Sequence, residues 1–248
     1  RFATHAYHFP MSTPPSDAAP RLLITSGPTH EPIDAVRFIG NRSSGRLGAA
    51  LADEASSRGW PVTALVGPLA ERPTSKPVET IGFTSCADLE SRLVEHLPSC
   101  DVLIMAAAVA DYRPAQGTTD VFDKKRRREE RITIELEKTP DLLGGCVERR
   151  RPGQLLVGFA LEPRHRLEAS AREKLERKRV DMIVANPLET MDSGNIEPLL
   201  MIAPALGVPS AGAPGRMTKP QFAAWLLDQI ASTRAHLHSE SRAHEPKA

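Results

Sequence analysis

Short apolar runs alternate with amphipathic stretches along most of the chain. Runs at 21–25, 61–67, 78–81, 155–159 and 180–185 predict strands, and the continuous run at 101–108 reads as the centre of a parallel sheet. Residues 131–137 alternate at period two and predict a strand with one wet face, and 199–202 predicts an edge strand. Helices are predicted from a cap at Ser43 or Ser44 to Gly59, from Ser85 over 87–96, from Pro140 at a first helical position, over 164–179, and from Thr218 over 220–230. Residues 203–216 read as a Pro/Gly-rich loop. Strands alternating with helices predict an α/β, Rossmann-like fold with a mostly parallel sheet and helices on both faces. Ligands of such sheets bind at the carboxyl ends of the strands. Those ends carry Ser26-Gly27, Val66-Gly67, Ala106 to Asp111, Phe159-Ala160 and Ala185-Asn186.

Length and charge narrow the classes. The 248 residues suggest one large domain or at most two. The expected division is a disordered segment over 1–20, one domain over 21–235 and a loose tail over 236–248. The chain opens on Arg1, and Met11 reads as a candidate initiator. Net charge is +1 and aromatic content 4%, which counts against a nucleic-acid binder. Cys86, Cys100 and Cys146 are odd in number and contain no CxxC, so neither a disulfide framework nor a cysteine zinc site is expected, and a reducing cytoplasm fits. No apolar run approaches the ~18 residues of a membrane helix.

The usual nucleotide signatures fail. The loop after the first strand is SGPTHEP rather than GxGxxG, and the second strand ends Leu65-Val66-Gly67 without an acidic residue for a ribose. Neither tyrosine, Tyr7 or Tyr112, has a lysine four residues on. Gly40 to Gly45 has P-loop spacing, but Arg46-Leu47 follows in place of the phosphate-binding lysine and magnesium-binding hydroxyl. What remains is a Ser-Ser-Gly-x-x-Gly turn opening a helix. Its reading is either an anion site at free N–H groups or an ordinary capped helix whose glycines serve packing.

Five segments occur together in order: TSGPTHEPIDAVRFIGNRSSGRLG, AAAVADYRP, Lys124-Lys125 before ITIELEKTPDLL, VGFALE and KLERKRVDMIVAN. Over about 21–203 the chain resembles the phosphopantothenoylcysteine synthetases of coenzyme A biosynthesis. In many bacteria this domain follows a flavin-dependent decarboxylase in one bifunctional protein. The resemblance implies ligation of 4′-phosphopantothenate to L-cysteine through an acyl-nucleotide, with CTP in bacterial members and ATP in eukaryotic ones, and with Mg2+. It also implies a homodimer and a separate or upstream decarboxylase that holds the flavin, with none in this chain.

The same resemblance assigns residues. Asn41 matches the asparagine that handles the acyl-nucleotide. Ser43, Ser44, Gly45, Arg46 and Gly48 match the phosphate-cradling turn, with Arg46 where lysine is usual, and Gly27 matches the first-loop glycine. Ala107, Ala108 and Asp111 match a nucleotide-contacting segment, Asp111 meeting sugar, base or magnesium. Pro140, Asp141, Leu142 and Leu143 match a nucleotide-binding helix start, Phe159 a nucleotide-contacting phenylalanine, and Lys174 and Lys178 two nucleotide-binding lysines on one helix face.

The chain departs from the family at a Lys-x-Lys-Lys motif. Lys124 and Lys125 are present, but Phe122 occupies the position of the first lysine, which serves the second half-reaction. The alternative is therefore a diverged nucleotide- or phosphopantothenate-binding protein with impaired turnover. Residues 124–131 hold six basic residues in eight, read as a mobile cationic flap over the nucleotide.

Overall fold

The computed structural model describes residues 18–115, 133–191, 193–210 and 215–243. Seven strands form one sheet: β1 (Leu22–Ser26), β4 (Val62–Val66), β5 (Glu79–Gly82), β6 (Val102–Met105), β9 (Leu155–Glu162), β10 (Met182–Pro187) and β12 (Leu199–Ile202). Their spatial order is β12-β10-β9-β6-β1-β4-β5. All pairs are parallel except the edge pair of β12 with β10. This is the expected mostly parallel α/β architecture.

Successive β1 residues feed opposite layers, as strand geometry requires. Leu22 and Ile24 pack with α1 (Arg46–Ser57) and α5 (Lys219–Ala243), whereas Leu23 packs with α2 (Cys86–His96) and α3 (Leu142–Arg149). Helix α4 (Leu167–Lys178) covers β9 and β10 on the α2–α3 face.

Three small two-stranded ribbons accompany the sheet: β2 (His30–Pro32) with β3 (Phe38–Gly40), β7 (Tyr112–Pro114) with β8 (Leu136–Lys138), and β11 (Asn195–Ile196) with β13 (Met217–Thr218). The first begins inside SGPTHEP, the segment expected as a loop after the first strand. The strand expected at 131–137 has its described ladder at Leu136–Lys138, as long as its three-residue partner β7 allows.

Several boundaries move. The regular ladder of the 101–108 strand ends at Met105, and the residues beyond it stay beside the β1 end: Ala106 N–H donates to the Thr25 carbonyl and Ala108 N–H to the Gly27 carbonyl. Asp141, not Pro140, caps α3, so the proline lies outside the helix rather than at its first position. Helix α5 runs to Ala243 instead of stopping at Ile230. Thr233 is buried, Arg234 donates to the Asp101 carbonyl at 3.2 Å, and Leu237 packs on the core, so the segment from His236 to Ala243 is helical rather than a loose tail.

Candidate active site

A cleft of about 1010 Å³ opens where β1 separates β4 from β6. This is the place where an open α/β sheet reverses its winding and binds ligands. Its walls are residues 40–48, 105–112, 138–143 and 159–161, the α4 lysines, and residues from 186–196 with Lys219.

The first wall is the entrance to α1. Gly45 is the N-cap, in left-handed backbone at φ +72°, and no side chain caps the helix. The expected cap at Ser43 or Ser44 is therefore replaced. Ser26 Oγ donates to the Gly45 carbonyl at 2.9 Å, and Glu71 N–H donates to the Ser44 carbonyl, so tertiary contacts set the turn. A Cβ on Gly48 would lie 2.3 Å from Ser26 Oγ, so only glycine lets α1 approach β1 this closely. The first-turn N–H groups lack side-chain acceptors and sit at the positive helix end, an arrangement suited to an anion. Arg46 lines the cleft and pairs with Glu71 at 3.5 Å. Gly27 turns the chain behind this wall at φ +83°, with Ala70 against it, and is not part of the cleft lining.

The second wall follows β6. Ala107 N–H donates to Thr25 Oγ1 at 3.1 Å and Ala110 N–H to Thr29 Oγ1 at 2.9 Å. The N–H groups of Ala107 and Ala108 are thus spent on the β1 side. Asn41 bridges the first two walls: its Nδ2 donates to the Val109 carbonyl at 2.9 Å. Asp111 is exposed in the lining, and its carbonyl accepts the Thr139 N–H.

The third wall is the entrance to α3. Asp141 Oδ1 accepts the Gly144 N–H at 3.0 Å, while Oδ2 meets Lys178 Nζ at 2.5 Å. Burial alone would raise the Asp141 carboxyl, but the Lys178 ammonium and the Gly144 N–H outweigh it and hold the group below its ordinary value. Lys174 sits 3.5 Å from Glu162, so both predicted lysines reach the cleft already paired. Pro140, Leu142 and Leu143 complete the wall. Phe159 lines the floor and meets Phe222 of α5 edge-on, with 6.4 Å between ring centroids.

The structure thus gathers Asn41, Ser43, Ser44, Gly45, Arg46, Gly48, Ala107, Ala108, Asp111, the 140–143 segment, Phe159, Lys174 and Lys178 around one space. Lys124, Lys125 and Phe122 lie outside the described residues. Asn186, at a strand end named from the sequence but given no role there, lines the cleft at the end of β10. It is 7% exposed, and its Oδ1 has no hydrogen-bond partner. Its place at a strand's carboxyl end was the available signal. Among the described residues there is no cluster of His, Cys, Asp and Glu that would hold a metal, and no helix long and apolar enough to cross a membrane.

Residues 18–233 match the family model described as DNA/pantothenate metabolism flavoprotein C-terminal domain. The chain belongs to this family. A cysteine/cysteine sulfinic acid decarboxylase from an unknown prokaryotic organism is 45% identical over 70% of the chain and 47% of its own length. The coenzyme A biosynthesis bifunctional protein CoaBC of Mycobacterium bovis is 45% identical over 69% of the chain and 43% of its own length. The chain therefore spans less than half of each of these relatives. The crystal structure of the C-terminal domain of a CoaBC protein superposes with a TM-score of 0.65 at 34% identity, covering 89% of this chain and 96% of that one. The family of the five ordered motifs is the family found.

Proposed function

We propose that this domain ligates 4′-phosphopantothenate to L-cysteine with CTP in coenzyme A biosynthesis. The substrate carboxylate attacks the α-phosphorus of CTP and expels pyrophosphate, leaving an acyl-cytidylate. The cysteine amine then attacks the acyl carbon, expels CMP and forms the amide. The observation that carries this reading is the α1 N-terminus without a side-chain cap, opening into a cleft that Asn41, Lys174 and Lys178 also line.

Attack of one anion on another needs positive charge to offset repulsion. The α1 amides and Arg46 suit the phosphate of phosphopantothenate, and Lys174 and Lys178 suit the CTP phosphates. Asn41 commits one Nδ2 hydrogen to Val109, leaving the second hydrogen to face the acyl oxygen as charge develops there. Mg2+ commonly binds through one or two carboxylates together with substrate phosphates. The donor set fits this: Asp141 is engaged by Lys178 and Gly144, and Asp111 offers an exposed carboxylate in the cleft. Bound there, the ion would screen triphosphate charge.

The flavin and the decarboxylation belong, in this reading, to a separate or upstream chain segment, and the site is cytoplasmic. A homodimer is supported by the exposed apolar residues Val36, Phe38, Tyr112 and Leu136 on the first two ribbons, where β2 packs against β7. Phe38→Asp then shifts the sedimentation coefficient to that of a monomer. Phe122 favours a second reading, a binding protein whose amide-forming step is impaired. Calorimetric titration with CTP and with ATP tests the nucleotide site. Binding of CTP that weakens in the Lys174→Ala, Lys178→Ala double variant supports it, and binding of neither nucleotide removes it.

A further inference from the structure

Glu31 is a buried carboxylate outside the cleft. It is the middle residue of β2 and 2% exposed, paired in register with Ile39 of β3. No lysine or arginine forms an ion pair with it among the described residues. Its Oε1 instead accepts the N–H of Cys86, the first residue of α2, at 2.8 Å. The rest of that helix entrance is served by a reciprocal pair, Ser85 Oγ with the Asp88 N–H and the Asp88 carboxylate with the Ser85 N–H. The glutamate thus takes an amide that this pair leaves over. Its negative charge lies at the positive end of α2, which compensates its burial.

This contact fixes a whole element. The adjacent His30 N–H donates to the Thr84 carbonyl at 2.8 Å, so β2 runs along residues 84–86 held by both backbone and side chain. Thr29, one residue earlier, accepts the Ala110 N–H and donates its own N–H to the Ala108 carbonyl. The hairpin is therefore clamped between α2 and the 106–110 wall. Its second strand ends at Gly40, opposite His30, and Asn41 follows at once. Asn41 is itself exposed, and its side chain donates to the Val109 carbonyl. Few contacts of its own fix that side chain, so its placement depends on the strand that delivers it.

We infer that Glu31 is a positioning residue for Asn41: by pinning β2 to the α2 entrance it sets the Asn41 amide against Val109 and the cleft. The kinetic part of this inference rests on the ligase reading above, and the geometric part does not. A glutamine at 31 keeps an oxygen acceptor of the same reach. An alanine leaves the Cys86 amide unpaired and the hairpin free to shift.

The test uses the full chain, with the side-chain amide NMR signals of Asn41 identified by their loss in Asn41→Ala. Glu31→Ala is expected to move those signals and to lower kcat for amide formation about 10- to 100-fold, with the nucleotide KM unchanged. Glu31→Gln is expected to leave the signals in place and restore most of kcat. In the Asn41→Ala background, Glu31→Ala is expected to cost nothing further, because the two act through one group. If Glu31→Ala does not fold, Glu31→Asp, one methylene short of Cys86, takes its place with the same expectations. Unmoved Asn41 signals, or an equal loss of kcat with and without Asn41, overturn the inference. Moved signals in a chain that makes no product remove the ligase reading and uphold the positioning. Product formation with unmoved signals does the reverse.

Discussion

Lys178 Nζ lies 2.5 Å from Asp141 Oδ2, joining the end of α4 to the cap of α3 across the mouth of the cleft. The carboxylate serves the helix with one oxygen and the lysine with the other. Asp141→Asn keeps a good cap but loses the ion pair. Because the carboxylate is half exposed, this costs below about 1 kcal/mol. Asp141→Ala also loses the cap and costs about 1 kcal/mol more. The folded-state carboxyl lies below its unfolded value, so the pair stabilises above about pH 4 and this contribution fades as pH falls through the lower folded value. Acid unfolding of Lys178→Met is expected to show a shallower loss over that range than the parent chain, measured by circular dichroism.

At the opposite end of the sheet Asp101 holds the chain's entry into β1. Its carboxylate accepts from the Arg21 N–H at 2.9 Å and from the guanidiniums of Arg21 at 3.1 Å and Arg151 at 2.5 Å. Burial would raise this carboxyl, but the two guanidiniums outweigh it and hold it far below the usual carboxylate range. Asp101→Asn is expected to cost about 2–3 kcal/mol in urea unfolding at pH 7, toward the lower end of broken buried pairs because both arginines touch solvent. The difference from the parent is expected to shrink below about pH 4, where protonation of the unfolded chain's Asp101 drains the same contribution.

All three thiols are buried: Cys86 and Cys146 are pushed up to about 11 and Cys100 to about 12, burial being the largest cause in each. A thiol-disulfide reagent at pH 8 is expected to leave the native chain unmodified and to label all three cysteines in guanidinium. Rapid labelling of the native chain would contradict the packing of α2 and α3 against the sheet.

The sheet was legible because its central strands are buried on both faces and so spell continuous apolar runs, as in Leu22 to Ile24 and Val102 to Ile104. Gly59 was legible as a helix end because its φ of +77° is a local need for glycine. The start of α1 was not. Ser43 and Ser44 are good cap residues by type, but the position is decided by Ser26, nineteen residues away from Gly45, and by the close approach at Gly48. The β2–β3 hairpin was illegible for a similar reason. Its strands are three residues long, and Thr84, Cys86 and the Asp34 turn hold them. Periodicity carries no trace of such partners. Most cleft residues carry a role from the motifs, whereas Asn186, although the last residue of one of them, carries none, since one amide at a strand end is distinguished only by what surrounds it in space.

Pyrophosphate release separates a ligase from a binding protein. The chain is mixed with 4′-phosphopantothenate, Mg2+ and either CTP or ATP, and pyrophosphate release is followed first without and then with L-cysteine. A burst near one equivalent with CTP before cysteine is added, and steady turnover afterwards, are expected. A burst without turnover would move the chain to the impaired reading and point at Phe122. No pyrophosphate with either nucleotide would contradict the ligase account outright.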